Sequence, residues 1–199
     1  FFGGQVAHRL QRRYRRRVVG TVSLAHLGGV FIPRVSEPRL MRQVHSSLAS
    51  IARALKARVL HLVGAEKVED FYVRLGTMDI RTFWSISERD KIPASQSIII
   101  VGYRRDVQRR SIELGIRALV ITSSLEIDAE TVALARANDV SIIVSPYDSA
   151  TTAWVVRTAT SIERVIERKF ETVTADARIA DVRKKFSVTT HVLLVTGDD

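Results

Sequence analysis

Ser97-Ile98-Ile99-Ile100-Val101, closed by Gly102, is a run of apolar, mostly β-branched residues too short to be a helix. Ala118-Leu119-Val120-Ile121 repeats the pattern, and Val140-Ser141-Ile142-Ile143-Val144 repeats it again, at an interval of about 21 residues. Between these runs the spacing predicts a polar-faced helix over Arg105–Leu114, stopped by Gly115, and another over Leu125–Asn138, capped by Asp128. A third helix starts near Ser149. Strand, helix, strand at this spacing means right-handed crossovers and a parallel sheet. Strands that are apolar on both faces mean a sheet covered on both sides. Val73–Leu75 adds a further strand. The fold class is therefore α/β.

That organisation locates a crevice. In an open α/β sheet, ligands settle beyond the carboxyl ends of the strands. Here those ends are Gly102-Tyr103-Arg104-Arg105-Asp106, Thr122-Ser123-Ser124 and Ser145-Pro146-Tyr147-Asp148, with Thr151 and Thr152 opening the next helix. Helix amino termini point the same way and offer N–H groups to an anion. The same residues also serve as the turns and caps that every α/β domain needs, and both readings stand.

Residues 1–60 carry 12 basic residues and one acidic residue, while 61–199 carry 19 and 20, so the net charge of +10 belongs to the N-terminal third. A nucleic-acid surface across the whole protein is not expected. Arg9, Arg12, Arg13, Arg15, Arg16 and Arg17, around Tyr14, read as a solvated face or tail, with phosphate-backbone contact or a targeting signal as the sharper alternatives. Val18–Ile32 is uncharged. It contains His26 and three glycines, and falls short of the roughly 20 apolar residues of a spanning helix. A buried strand-and-turn segment is predicted there, with no membrane association. Ser36-Glu37-Pro38 then opens a helix in which Leu40, Val44, Leu48, Ile51 and Leu55 fall at helical spacing.

Cysteine is absent, which excludes disulfides, thiolate metal sites and cysteine nucleophiles. Nothing argues for an oxidising compartment, and a cytoplasmic location is expected. The five histidines, His8, His26, His45, His61 and His191, are scattered; His45 and His61, the nearest pair without a carboxylate or histidine at ligand spacing, lie 16 residues apart. No catalytic residue and no metal-ligand cluster is assembled at recognisable spacing, so an autonomous enzyme is not expected.

Further on, Thr160-Ser161-Ile162-Glu163 matches a capping box, and Phe170–Val173 reads as a strand. A helix through Ile179, Val182 and Phe186 and a strand over His191–Val195 follow. A β–α–β piece this small cannot bury its own core. With Phe1 at one end and Gly197-Asp198-Asp199 directly after an apolar run, the chain reads as a piece of a longer protein. A second copy or a neighbouring module is expected to cover Val192–Val195.

Several of these stretches resemble the DRTGG domain: Ile99-Ile100-Val101-Gly102-Tyr103-Arg104-Arg105-Asp106-Val107-Gln108, Glu113-Leu114-Gly115, Ala118-Leu119-Val120-Ile121-Thr122, Ala133-Leu134-Ala135 and Ser145-Pro146-Tyr147-Asp148-Ser149-Ala150-Thr151-Thr152-Ala153. Glu163 to Val182, with Phe170-Glu171-Thr172-Val173 and Asp176, Ile179, Asp181, Val182 and Arg183, resembles the opening of a CBS repeat. DRTGG followed by CBS is similar to the regulatory insert of the manganese-dependent, DHH-type inorganic pyrophosphatases, where a DRTGG domain splits a CBS pair. The resemblance implies a three-layer DRTGG-type domain with a mainly parallel sheet over 38–158. It implies a partial CBS β-α-β module over 159–199 and, in the basic segment 1–37, the tail of a preceding CBS repeat.

The function so implied is a non-catalytic region that senses nucleotides and oligomerises as a homodimer, with no cofactor of its own and manganese in the parent enzyme. Adenine nucleotide would bind through a completed CBS pair, with Thr172 and Val173 at its slot. The competing function is a DRTGG–CBS sensor joined to another output, such as a transcriptional regulator or a phosphotransacetylase. In the crevice the candidate ligand residues are Gly102, Arg104, Arg105, Asp106, Thr122, Ser123, Ser124, Tyr147, Asp148, Thr151 and Thr152. Two places depart from the family pattern. Tyr103 stands where an aspartate is usual, and Thr122-Ser123-Ser124 stands for Thr-Gly-Gly. A turn that needs positive φ there would strain both serines.

Overall fold

The computed structural model describes residues 18–32, 36–77, 85, 91–186 and 193–196. The basic run 9–17, His8 and His191 lie outside them. The chain divides into two compact units, residues 31–164 and the two segments 1–30 and 165–199. The borders fall at 30/31 and 164/165, where the sequence suggests 37/38 and 158/159. In chain order the helices described are α1 (Leu24–Phe31), α2 (Pro38–Arg42), α3 (Leu48–Ala54), α4 (Arg105–Glu113), α5 (Ala129–Ala137), α6 (Ser149–Thr158) and α7 (Ile179–Lys185). The strands are β1 (Gln43–Ser46), β2 (Arg58–His61), β3 (Glu69–Leu75), β4 (Ser97–Val101), β5 (Ala118–Ile121), β6 (Ser141–Val144), β7 (Glu171–Thr174) and β8 (Leu193–Thr196).

In the unit 31–164 a six-stranded sheet runs in the order β1-β3-β4-β5-β6-β2. The four central strands are parallel, and both edge strands are antiparallel to their neighbours. Every residue of β4, β5 and β6 is buried. The strand period of two sorts them into two cores. Ile98, Ile100, Val120 and Ile143 share one core with Val44, Leu48, Ile51, Leu55, Phe71 and Val156, beneath α3 and α6. Ile99, Val101, Leu119, Ile121, Ile142 and Val144 share the other with Val107, Ile112 and Ala135, beneath α4 and α5. The outcome is the three-layer, mainly parallel α/β fold expected. Each fully buried Ile, Leu or Val contributes about 1.5–3 kcal/mol.

Three helices of this unit end alike. In α4, Gly115 sits at φ +66° with Gly115 N donating to Ile112 O and Ile116 N to Ser111 O. This is the paired Schellman closure that the sequence signals through its glycine. Helices α3 and α5 close the same way, with Lys56 (φ 49°) and Asp139 (φ 54°) in the left-handed position instead of glycine.

The N-terminal region of the sheet unit departs from the single helix that the apolar spacing suggests. Helix α2 lasts only five residues, and Gln43 at its end is already extended (φ −77°, ψ 135°). Gln43–Ser46 then alternates half-buried and buried as β1. Ser47 starts α3, its side chain accepting a hydrogen bond from Ser50 N. Val44, Leu48, Ile51 and Leu55 are fully buried, but Leu40 is 48% exposed, because the stripe spans a helix, a strand and a second helix.

One polar anchor holds the amino ends of the strands. Arg117, just before β5, donates from Nε to Glu69 Oε1 (2.7 Å) and from Nη2 to Val63 O (2.9 Å). Lys67 Nζ lies 3.1 Å from Glu69 Oε2. Burial raises the Glu69 carboxyl, but hydrogen bonds and charge from Arg117 and Lys67 outweigh it and hold the group below the usual glutamate range.

The other unit contains a parallel β7–α7–β8 arrangement. Thr21 also pairs with Glu167 in an isolated antiparallel bridge. The segment 18–32 is not the buried strand-and-turn expected: it holds helix α1, with Val19, Leu24 and Ile32 exposed. The reason is local. Ser23 Oγ accepts from His26 N (3.3 Å), and His26 Nδ1 accepts from Ser23 N (3.2 Å). That is a reciprocal capping box with histidine in the usual Glu/Gln role. Thr160–Glu163 forms only a 3₁₀ turn over Ile162–Arg164, with Ser161 Oγ accepting from Glu163 N.

Candidate functional site

Because β4, β5 and β6 are neighbours in parallel register, their carboxyl ends form one rim, as the strand pattern implies. At the first end, Tyr103 is 69% exposed and the Arg105 guanidinium lies 5.7 Å from its ring centroid. Arg104 grips Asp106 side-on through one guanidinium edge, Nη2 donating to Oδ2 at 2.6 Å and Nε to Oδ1 at 3.3 Å. That hydrogen bond, chiefly, keeps the Asp106 carboxyl below the ordinary aspartate range. Gln108, buried on α4, donates from Nε2 to Gly102 O (2.7 Å) and fixes the strand end. Gly102 itself has room for a side chain, since an added Cβ would come no nearer than 3.6 Å to Thr122 Oγ1.

At the second end, Thr122–Leu125 is a tight turn closed by Leu125 N to Thr122 O (3.3 Å). Both central residues have positive φ, Ser123 at 60° and Ser124 at 54°. The strain anticipated for two serines in place of two glycines is therefore present. Their amides are not turned outward: Ser123 N donates to Tyr147 O (2.7 Å) and Ser124 N to Ser145 O (2.9 Å). The turn is stitched to the third strand end.

At that third end, Asp148 caps α6, accepting from Ala150 N (2.8 Å), Thr151 N (2.9 Å) and Thr151 Oγ1 (2.7 Å). The Thr151 N–H, first among these, holds the Asp148 carboxyl low. Asp128 caps α5 through Thr131 N (2.7 Å) in the same manner. Thr152 is fully buried, with its hydroxyl 2.8 Å from Ser145 Oγ and 3.2 Å from Tyr147 O. Thr122 is also buried, its Oγ1 3.5 Å from Ser149 Oγ.

The structure thus splits the sequence-chosen set into two levels. Arg104, Arg105, Asp106, Ser123, Ser124, Asp148 and Thr151 are exposed on the rim, with Gly102 and Tyr147 partly so. Thr122 and Thr152 lie below and support it. The buried polar residues Gln108 and Ser145 also hold this rim; Ser145 stands in the third strand-end stretch and Gln108 on the helix after the first, and nothing in either position signals burial. In the other unit Thr172 is exposed, with its carbonyl accepting from Lys185 Nζ, and Val173 is 9% exposed. Among the described residues no three His, Asp or Glu side chains are grouped so as to hold a metal ion. No helix of the described residues is long and apolar enough to cross a membrane.

The rim invites a simple check of the turn. Replacing Ser123 and Ser124 together with glycine is expected to raise unfolding free energy by about 1 kcal/mol, the left-handed penalty removed exceeding the backbone entropy added. A urea midpoint that is unchanged or lowered would show that the serines are compensated locally.

Residues 50–159, more than half of the chain, match the DRTGG domain. The chain is 23% identical over 176 residues to the cobalt-dependent inorganic pyrophosphatase of Clostridium perfringens (strain 13 / Type A), covering 87% of this chain and 31% of that protein. It therefore spans under a third of that relative's length. In fold it is similar to the crystal structure of the CBS and DRTGG domains of the regulatory region of Clostridium perfringens pyrophosphatase complexed with its activator, diadenosine tetraphosphate. The TM-score is 0.70 at 19% identity, over 98% of this chain and 86% of that one. A parallel sheet with Thr122-Ser123-Ser124 at one strand end and a helix capped by Asp148 at the next, read with the match over 50–159, leaves one conclusion: the chain belongs to the DRTGG domain family.

Proposed function

We propose that this chain is the non-catalytic regulatory region of a metal-dependent inorganic pyrophosphatase, sensing adenine nucleotide through its β7–α7–β8 unit. The observation that carries this reading is the order of folds along the chain. A DRTGG-family unit is flanked on both sides by segments that close into one second unit, and Thr21 and Glu167 from those segments bridge each other. A DRTGG domain inserted within a CBS pair predicts that order. Thr172, with Val173 as its floor, is proposed as the adenine-facing edge. The rim at Gly102–Asp106, Ser123, Ser124, Tyr147, Asp148 and Thr151 is proposed as the ligand-facing surface of the DRTGG unit, resting on Thr122 and Thr152. The parent enzyme would use manganese or cobalt, and this region would act as a homodimer in the cytoplasm.

Nucleotide regulation works only through unequal affinity for two states of the enzyme. Calorimetric titration of the chain with AMP and with diadenosine tetraphosphate is expected to give saturable binding with Kd weaker than about 1 μM for AMP. Absence of heat up to about 5 mM for both nucleotides would defeat the sensing reading. On the same sample, pyrophosphate with manganese or cobalt should release no phosphate above a metal-only blank. Turnover lost in Asp106→Asn or Asp148→Asn would make the chain an enzyme instead.

A further inference from the structure

The connector that leaves the six-stranded sheet is fastened at its last residues. On neighbouring strands, His45 and Asp70 are register partners, and His45 Nδ1 lies 3.0 Å from Asp70 Oδ1. Arg164 closes over the same edge, donating from Nη1 to Asp70 Oδ1 (3.2 Å) and from Nη2 to Gln43 Oε1 (2.8 Å). Gln43 and His45 are two apart on β1 and so share a face. The backbone is tied as well: Ser161 N donates to His45 O (2.6 Å), and Ser46 Oγ donates to Ala159 O (2.7 Å). The stretch from Ala159 to Arg164 is thus held along the β1–β3 edge.

Arg164 is also the last residue of the sheet unit, and Val165 opens the second segment of the other. Three residues past Arg164, Glu167 is fixed in its own unit by two backbone hydrogen bonds with Thr21, at 2.9 and 2.8 Å. Three peptide units reach at most about 10 Å, so the two fastenings are joined by a short stretch of chain. Packing is close there: a Cβ added at Gly20 would lie 2.6 Å from Ile166 Cγ1 and 2.7 Å from Glu167 O.

We propose that the Arg164–Asp70 clasp, with His45 and Gln43 beside it, is the coupling element through which a change in the β7–β8 unit reaches the edge of the DRTGG sheet. As a route of nucleotide regulation it rests on the function proposed above, but the coupling itself can be read without nucleotide. Amide exchange of the 199-residue chain is the measurement, with Ser161 N–H as the reporter. Asp70→Asn is expected to speed Ser161 exchange about three- to five-fold, the scale of a half-exposed ion pair, while β4, β5 and β6 stay protected. Arg164→Gln should do the same from the other side. Gly20→Ala should speed Ser161 exchange in the wild-type background and add nothing in Asp70→Asn. Unchanged Ser161 exchange in both clasp variants, or an equal Gly20→Ala effect in both backgrounds, would overturn the proposal.

Diadenosine tetraphosphate separates the two readings. If it binds by calorimetry but leaves wild-type Ser161 exchange unmoved, the clasp is not the coupler and the sensing role stands. If it does not bind, the sensing role falls, and the Gly20→Ala comparison decides the coupling alone.

Discussion

Phe71→Ala is expected to lower the unfolding free energy of the sheet unit by about 3–5 kcal/mol, a large share of a typical domain's total. Phe71 is fully buried on β3 and belongs to the core that Leu48, Ile51 and Leu55 of the α3 region and Val156 of α6 complete. Truncation removes the apolar contact and leaves a cavity that the flanking β1 and β4 backbones, fixed in register on either side, cannot collapse to fill. Urea unfolding followed by tryptophan fluorescence and by circular dichroism would measure it. A loss below about 1 kcal/mol would place Phe71 outside the packed core.

Phe71 also marks where the sequence stopped being readable. The three central strands stand out as unbroken apolar runs because both of their faces are covered, and the helices between them carry conventional stops. Strand β3 is legible only over Val73–Leu75, since Glu69 and Asp70 open it with two charges. Strands β1 and β2 were invisible for a related reason. Each is a four-residue edge strand, and Gln43-Val44-His45-Ser46 and Arg58-Val59-Leu60-His61 bury at most one side. In β1 the helical spacing of Leu40, Val44, Leu48, Ile51 and Leu55 competed with a period of two over only four residues, and the longer pattern prevailed. The capping serine, Ser47, was the signal that could have separated them. Likewise Gly115 announced one Schellman end, while Lys56 and Asp139 do the same task without announcing it.

The strand ends were legible in position. Those ends form one rim, and the turn at Thr122-Ser123-Ser124 does take positive φ at both serines. Sequence could not say where the Ser123 and Ser124 amides point, because their acceptors, Tyr147 O and Ser145 O, come from a loop 21 or more residues away. Nor could it pair Asp70 with His45 and Arg164, which are 25 and 94 residues distant, the first meeting it only because β1 lies beside β3. Spacing along the chain carries no information about such antiparallel edge partners.

Arg117→Ala is expected to cost about 2–4 kcal/mol at neutral pH, and the cost should shrink in acid. Arg117 and Glu69 are 14% and 23% exposed, so the pair sits largely out of water, and deleting the cation strands a carboxylate and the Val63 carbonyl together. The sign of the pH effect follows from the direction of the Glu69 shift. In the wild-type chain the folded carboxyl is held below its unfolded value, so its stabilisation is complete above the usual glutamate pKa near 4.5 and is lost as pH falls through the lower, folded value. Without Arg117 the desolvation of Glu69 opposes its charge, with Lys67 alone left to offset it, and protonation relieves the stranded group. The gap between wild type and variant should therefore be widest from pH 6 to 7 and narrow below about pH 4. Arg117→Lys should fall between them, keeping the charge but not the fork that reaches Glu69 and Val63 at once. Denaturant unfolding across that range tests both points. A gap under about 1 kcal/mol at pH 7, or one that does not change between about pH 3 and 7, would mean the anchor at the amino ends of the strands is a surface ion pair after all.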